Sequence, residues 1–309
     1  MGLIERIQQD FTLTRREVQL LLLTAASRYK LHYIEKRHGR GRRLIAQPTA
    51  EIKILQKWAV ANYVNLLPIH NAATAYRPGR SIKDHAVAHA GNRYLLKLDF
   101  ENFFPSITGN NFFDHLKSYL EVSDEDANLL VRLLFRYELV SRNYVLSIGA
   151  PSSPAVSNTI MFKFDTALAE YCDANQIAYT RYADDLALST NTPKVLNDAY
   201  NFVRQLCRET QYPRVSLNEK KTVFVSNKFR RELTGLVLSN EGRPSLGREK
   251  KRQIRSMAHH FSLGQIPPED VPHLRGLIAF AISIEPEFIE SIKRMISIEL
   301  FQSLMSGQA

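Results

Sequence analysis

Two short runs rich in β-branched, aromatic and aliphatic residues, 177–182 and 186–190, meet at a tip that carries Asp184 and Asp185. The pattern predicts strand, tight turn, strand, and that hairpin limits what the rest of the chain can build around it. Two adjacent carboxylates repel and are costly to hold unless water or a cation neutralises them; a divalent metal is the most direct neutraliser. Asp also favours turns for its own hydrogen-bonding reasons, so the pair alone leaves both readings open. A second carboxylate signal lies upstream. Residues 94–100 (YLLKLDF) are short and nearly all apolar, as a strand buried on both faces should be, yet Asp99 stands close to its end. A charge there breaks the local rule, and such breaks mark functional sites. Carboxylates from two separate elements are what two-metal phosphoryl chemistry requires.

Charge points to the substrate. With 41 Lys and Arg against 31 Asp and Glu, the 309-residue chain carries a net +10, which attracts a polyanion. The basic residues cluster: Arg37, Arg40, Arg42 and Arg43 in a Gly-containing hairpin tip, and Arg248, Lys251, Arg252 and Arg255 along a helix over 248–262. Arg77 and Arg80 lie in a loop over 70–81, and a helix from there to about residue 90 carries His85 and His89 on one face, without the Glu of a zinc-protease motif. The two cysteines, Cys172 and Cys207, have neither disulfide-framework nor zinc spacing. The apolar run 18–26 is too short to span a bilayer, and Thr14 with Glu17 reads as a capping box. A reducing cytoplasm, no membrane partner and no targeting segment are expected.

Helices are predicted over 49–67, 110–120, 124–137, about 152–175, 195–209, 248–262, 270–284 and 287–305. Strands are predicted over 144–148 and 233–238, and a small turn-forming loop, GAPSSP, opens the helix after residue 148.

In this order and spacing the chain resembles reverse transcriptases of the right-hand polymerase type. The resemblance rests on Asp99, on Tyr182, Ala183, Asp184 and Asp185 as a YxDD box, and on Phe104 five residues after Asp99. GAPSSPAVSN at 149–158 and TRYADDL at 180–186 bring it closer to bacterial retron enzymes. It implies an α+β fold: fingers over 1–92, an antiparallel-sheet palm with packed helices over 93–235 (with fingers elements near 110–148), and a mainly helical, RNA-binding thumb over 236–309. It implies catalysis by Asp99, Asp184 and Asp185, which with the Phe100 carbonyl hold two Mg2+ ions, Mn2+ substituting. Arg43, Phe104, Ala150 and Lys221 meet the dNTP, with Phe104 excluding a ribose 2′-OH. Arg37, Arg40, Arg42, Arg77, Arg80, His89, Tyr182, Arg248, Lys251, Arg252 and Arg255 meet nucleic acid.

The implied activity is RNA-directed synthesis of branched, RNA-linked single-stranded DNA (msDNA) on a cognate structured non-coding RNA, primed by a guanosine 2′-OH. It acts in anti-phage defence beside an effector, with the tail resembling retrons that carry an ATPase and an HNH nuclease. His85 to His89 and Leu233 to Gly235 stand where those enzymes have NAxxH and VTG boxes, and Ile148 stands where most have Gln. Competing readings are a reverse transcriptase of another retroelement and a nucleic-acid-binding scaffold that restrains a toxin or effector.

Overall fold

The computed structural model describes residues 1–35 and 41–307. The chain divides into two compact units that alternate along the sequence: Met1–Gly79, Leu96–Leu188 and Lys194–Val223 form one, and Arg80–Leu95, Ser189–Pro193 and the chain from Phe224 onward form the other.

The first unit opens with two short helices, Leu3–Phe11 and Arg15–Thr24. The second has the capping box expected from Thr14 and Glu17. Leu3, Ile7, Val18 and Leu22 are fully buried, as are Leu130 and Leu134 on the helix Asp124–Leu134. The lone tryptophan belongs to this packing: Trp58 donates its indole N–H to Asp10 at 2.6 Å and lies between Phe11 and Tyr63. Strands β1 (Tyr29–Glu35) and β2 (Arg42–Pro48) pair antiparallel from Tyr29↔Pro48 to Glu35↔Arg42. Arg37 and Arg40, placed by sequence at the tip, lie outside the described residues.

Strands β3 (Tyr94–Asp99), β4 (Arg136–Glu138), β5 (Asn143–Val145), β6 (Ala178–Tyr182), β7 (Asp185–Thr190) and β8 (Val223–Ser226) follow. The sheet order β6-β7-β3-β8 puts the aspartate hairpin beside the apolar strand, and β4 pairs with β5 in a small hairpin. Leu96, Leu98, Leu186 and Leu188 are almost wholly buried, which accounts for the near-continuous apolar reading of these strands. Phe100 and Phe164 meet edge to face at 5.5 Å beneath them. The helix predicted after the GAPSSP loop is two, Ser153–Ile160 and Phe162–Ala174, broken at Met161.

His115, on the helix Gly109–Tyr119, is fully buried, with Nε2 2.9 Å from the Thr159 hydroxyl. Burial, with a smaller push from Lys163, lowers its pKa from 6.5 to about 4. The unfolded imidazole therefore takes up a proton that the folded one resists between those values. Stability is fully present above about pH 6.5 and is lost as pH falls toward 4. His115→Gln should flatten that loss by on the order of 1–3 kcal/mol. Urea midpoints of both proteins at pH 7.5 and pH 5 read the difference; an unchanged pH 5 to 7.5 increment would refute it.

In the second unit, β9 (Arg231–Leu233), β10 (Leu236–Leu238) and β11 (Pro244–Ser245) form a sheet ordered β11-β10-β9. The single strand expected over 233–238 is instead split between β9 and β10 by a tight turn, because Thr234 and Gly235 both have positive φ, +46° and +83°. The helix Ile82–Ala90 carries the capping box of Ser81 and Asp84. Arg231, 3% exposed, donates to the Ser239 carbonyl at 3.0 Å and also to the carbonyl of Asn92. Helices Gly247–Ser262, Val271–Ile284, Pro286–Ile296 and Ile298–Ser306 bury Ile254, Leu274, Ile278, Ile292 and Leu304. The last two read as one helix in the sequence; Ser297, at φ +73°, separates them and caps the second by accepting from the Leu300 amide. None of the described helices is long and apolar enough to cross a membrane.

Candidate active site

Asp99 closes β3, Asp185 opens β7, and these strands are neighbours. The Phe100 amide donates to the Asp184 carbonyl at 3.0 Å, so Asp99 and the Asp184–Asp185 pair come to one end of the sheet. Between Tyr182 and Asp184 the chain turns through Ala183 in the left-handed region, at φ +57°. Lys221 arrives on a short turn, Glu219–Lys221, pinned to the end of β3 by the Asn218 amide on the Asp99 carbonyl at 2.7 Å. Its ammonium donates to both Asp99 carboxylate oxygens, at 2.9 and 2.8 Å.

Burial raises the pKa of Asp184, and the Asp99 charge adds to it. Asp185 is pushed from 3.8 to about 7, first by burial, then by the charges of Asp184 and Asp99, with Lys97 and Lys221 opposing. Among the described residues no three His, Cys, Asp or Glu side chains converge tightly enough to hold a metal ion as they stand. The donor set nonetheless suits one: three carboxylates at one strand end, a charge excess over the single ammonium bound to Asp99, and oxygen donors only, as hard divalent cations prefer.

The same unit holds the other expected nucleotide residues, Phe104, Arg43 and Ala150. Asn102, at φ +46°, turns the chain after β3 into the single helical turn Phe103–Ser106, which carries the half-buried Phe104. Arg43 is exposed on β2, beside Arg42, and its charge lowers the pKa of Asp184. The Ala46 amide of β2 donates to the Ile148 carbonyl at 2.8 Å, tying the basic strand to the loop that delivers the buried Ala150. Ile148 makes this contact through its backbone, so the departure from Gln leaves it intact. Only glycine suits the next position: Gly149 has φ +111°, and a Cβ there would lie 3.2 Å from the Ala46 carbonyl oxygen.

Tyr182 is half-buried, its ring 6.5 Å from that of Tyr76. Tyr76 was not singled out in the sequence. It is half-exposed, held at φ +58°, and its phenol is raised first by burial and next by Asp184. Arg77 is half-buried and donates to the carbonyls of His70 and Ala73, holding its own loop.

In the second unit Arg80, Arg248, Arg252 and Arg255 are exposed, the last three along Gly247–Ser262. Arg255 sits 5.1 Å over the Phe288 ring. Two expected nucleic-acid contacts are less accessible than these. His89 is fully buried, with Nδ1 2.7 Å from the Ser189 hydroxyl and its pKa pushed down to about 3 by burial and the neighbouring His85. It is a packed histidine held neutral by its surroundings. Lys251 is half-buried and ion-paired with Glu285, so its charge is met within the fold.

A sheet that brings three carboxylates and a lysine to one end suits metal-assisted phosphoryl transfer. Residues 34–260 match the family described as reverse transcriptase (RNA-dependent DNA polymerase). The chain is 42% identical over 278 residues to the retron Ec83 reverse transcriptase of Escherichia coli, covering 89% of each protein. It is 33% identical over 271 residues to the retron Ec86 reverse transcriptase of the same organism, covering 87% of this chain and 80% of that one. A solved structure of apo telomerase from Candida tropicalis shares the fold, with a TM-score of 0.52 at 11% identity, over 90% of this chain and 60% of the telomerase. The chain belongs to the retron reverse transcriptases, an α+β family of RNA-directed DNA polymerases. Such an enzyme takes template RNA and deoxynucleoside triphosphates, and its family works with divalent metal ions.

Proposed function

We propose that the protein synthesises msDNA: it copies part of a cognate structured non-coding RNA from the 2′-OH of an internal guanosine, giving single-stranded DNA branched from RNA. The observation that carries this reading is the 42% identity to the retron Ec83 enzyme over 89% of both chains, with the carboxylate end of the sheet intact. Asp99, Asp184, Asp185 and the Phe100 carbonyl would hold two Mg2+ ions, or Mn2+ in their place. When bound, the ions activate the attacking hydroxyl and neutralise charge on the transferring phosphate. Lys221, within 2.9 Å of Asp99, supplies a cation for the departing pyrophosphate. Arg43 and Ala150 hold the triphosphate, and Phe104 lies against its sugar. Arg42, Arg77, Arg80, Arg248, Arg252 and Arg255 contact nucleic-acid phosphates, while Tyr182 contacts the primer end.

In this reading, residues 1–92 are fingers, 93–235 palm and 236–309 an RNA-selecting thumb. The protein works in the cytoplasm in anti-phage defence, its RNA–DNA hybrid restraining an effector of the ATPase and HNH nuclease type. Nucleic acid extracted from the protein purified with its neighbouring RNA tests this. An RNase-resistant DNA still joined to an RNA nucleotide is the expected product. Linear DNA without that junction would reassign the enzyme to another retroelement, and RNA alone would favour a scaffold.

A further inference from the structure

Arg181 lies on β6, two residues before Ala183, and it is fully buried. A guanidinium there must find partners for its donors. Nε donates to Asp165 Oδ1 at 2.8 Å, Nη2 to Asp165 Oδ2 at 2.6 Å, and Nη1 to Asn158 Oδ1 at 3.3 Å and to the Ala183 carbonyl at 3.0 Å. Asp165, from the helix Phe162–Ala174, is fully buried too, and it also takes the Tyr179 hydroxyl at 2.7 Å. The backbone is held equally well: the Arg181 amide donates to the Ala72 carbonyl at 2.7 Å, and the Thr74 amide to the Arg181 carbonyl at 2.8 Å. Asn158 is fixed from its other side, donating to the Ala75 carbonyl at 2.7 Å.

None of these groups is placed to react. One contact reaches the site: the Ala183 carbonyl, on a residue without glycine's freedom held at φ +57° directly before Asp184. A buried ion pair is weak support for a fold, since well-packed apolar residues of similar size serve as well or better. An apolar pair cannot hold a carbonyl. Nor can lysine, which keeps the charge for Asp165 but lacks the planar fork that reaches Asp165 and Ala183 together.

We propose that Arg181 is a positioning residue for nucleotide addition: its guanidinium, anchored on Asp165, holds the Ala183 carbonyl and so sets the left-handed turn that aims the Asp184 and Asp185 carboxylates. The inference rests on the reading of those two aspartates as catalytic.

The test uses the full chain on an RNA template annealed to a DNA primer, with single-turnover rate, KM for dNTP, template–primer affinity and melting temperature measured for each variant. Arg181→Lys should slow nucleotide addition about 10- to 100-fold, as a small misplacement of reacting groups does. Template–primer affinity and KM should stay within about threefold. Should Arg181→Lys not fold, the double variant Arg181→Met with Asp165→Leu decides: it should melt within about 5 °C of the parent yet add nucleotides at least about tenfold more slowly. A folded double variant with parental rate overturns the proposal, and so does a rate loss in Arg181→Lys that only follows its unfolded fraction. Asp185→Asn separates the two readings. Continued synthesis by that variant removes the catalytic assignment itself, whereas an inactive Asp185→Asn beside a full-rate Arg181→Lys removes only the role of Arg181.

Discussion

Asp185→Asn is expected to lower DNA synthesis at least about a thousandfold while the metal-free protein melts at a higher temperature than its parent. The two effects share one cause. Asp185 sits half-buried beside Asp184 and Asp99, and its carboxyl is pushed up to about 7 by burial and by their charges. An acid whose folded pKa lies above its unfolded one costs stability as it ionises, so the penalty grows as pH rises from about 4 to about 7 and is complete above that. The neutral amide removes it, and the gain should be largest near pH 8 and fade toward pH 4. The same amide is a poorer ligand for a hard divalent cation, and a thousandfold loss corresponds to about 4 kcal/mol of transition-state stabilisation. Asp184→Asn should behave alike. Asp99→Asn differs, because Lys221 then loses a bidentate ion-pair partner and no stability is gained. Gel-shift affinity for the RNA should stay nearly constant in all three, since Arg248, Arg252 and Arg255 are untouched. Primer extension with calorimetry in chelator decides the matter; undiminished synthesis by either hairpin variant sinks the catalytic assignment.

The carboxylates could be read from the chain because each breaks a local rule: two charges at the tip of a hairpin, one at the end of an apolar strand. Helix starts were legible for the same local reason. Thr14 with Glu17 and Ser81 with Asp84 form the capping boxes their spacing announces. What stayed hidden depends on residues far apart. No Gly or Pro stands at Met161 or Ser297, where the helices part. The turn at Thr234 and Gly235 hides inside an apolar run, because a threonine at φ +46° is not a turn signal. His89 looked available to RNA, but its burial is decided by packing around Ser189, a hundred residues on. Arg181 did carry a signal, a charge within a run read as a strand. Its partner Asp165 is on a helix, however, and no spacing rule links a helix residue to a strand residue across the intervening loop.

Phe104→Ala is expected to raise incorporation of ribonucleotides relative to deoxynucleotides by about a hundredfold, the scale on which an apolar wall rejects an added hydroxyl. The two adjacent phenylalanines have separate tasks. Phe103 is 2% exposed and lies nearly parallel to Phe100, at 5.6 Å and 14°, which anchors the turn beneath the sheet. Phe104 is half-buried and meets Phe103 edge to face at 5.5 Å, so it rests on the anchor while part of its ring stays open to solvent. Truncating Phe104 opens space with a modest loss of packing, and the change should come as faster use of rNTP with dNTP kinetics kept within a few-fold. Truncating Phe103 removes a core ring instead, at about 3–5 kcal/mol, and leaves the sugar preference of the surviving folded enzyme unaltered. Competition between matched dNTP and rNTP pairs, with a melting curve for each variant, distinguishes these outcomes. A parent enzyme that already accepts both sugars equally would deny Phe104 the role. A preference that moves with Phe103→Ala but not with Phe104→Ala would transfer the selectivity from the half-buried ring to the backbone turn that the buried ring holds.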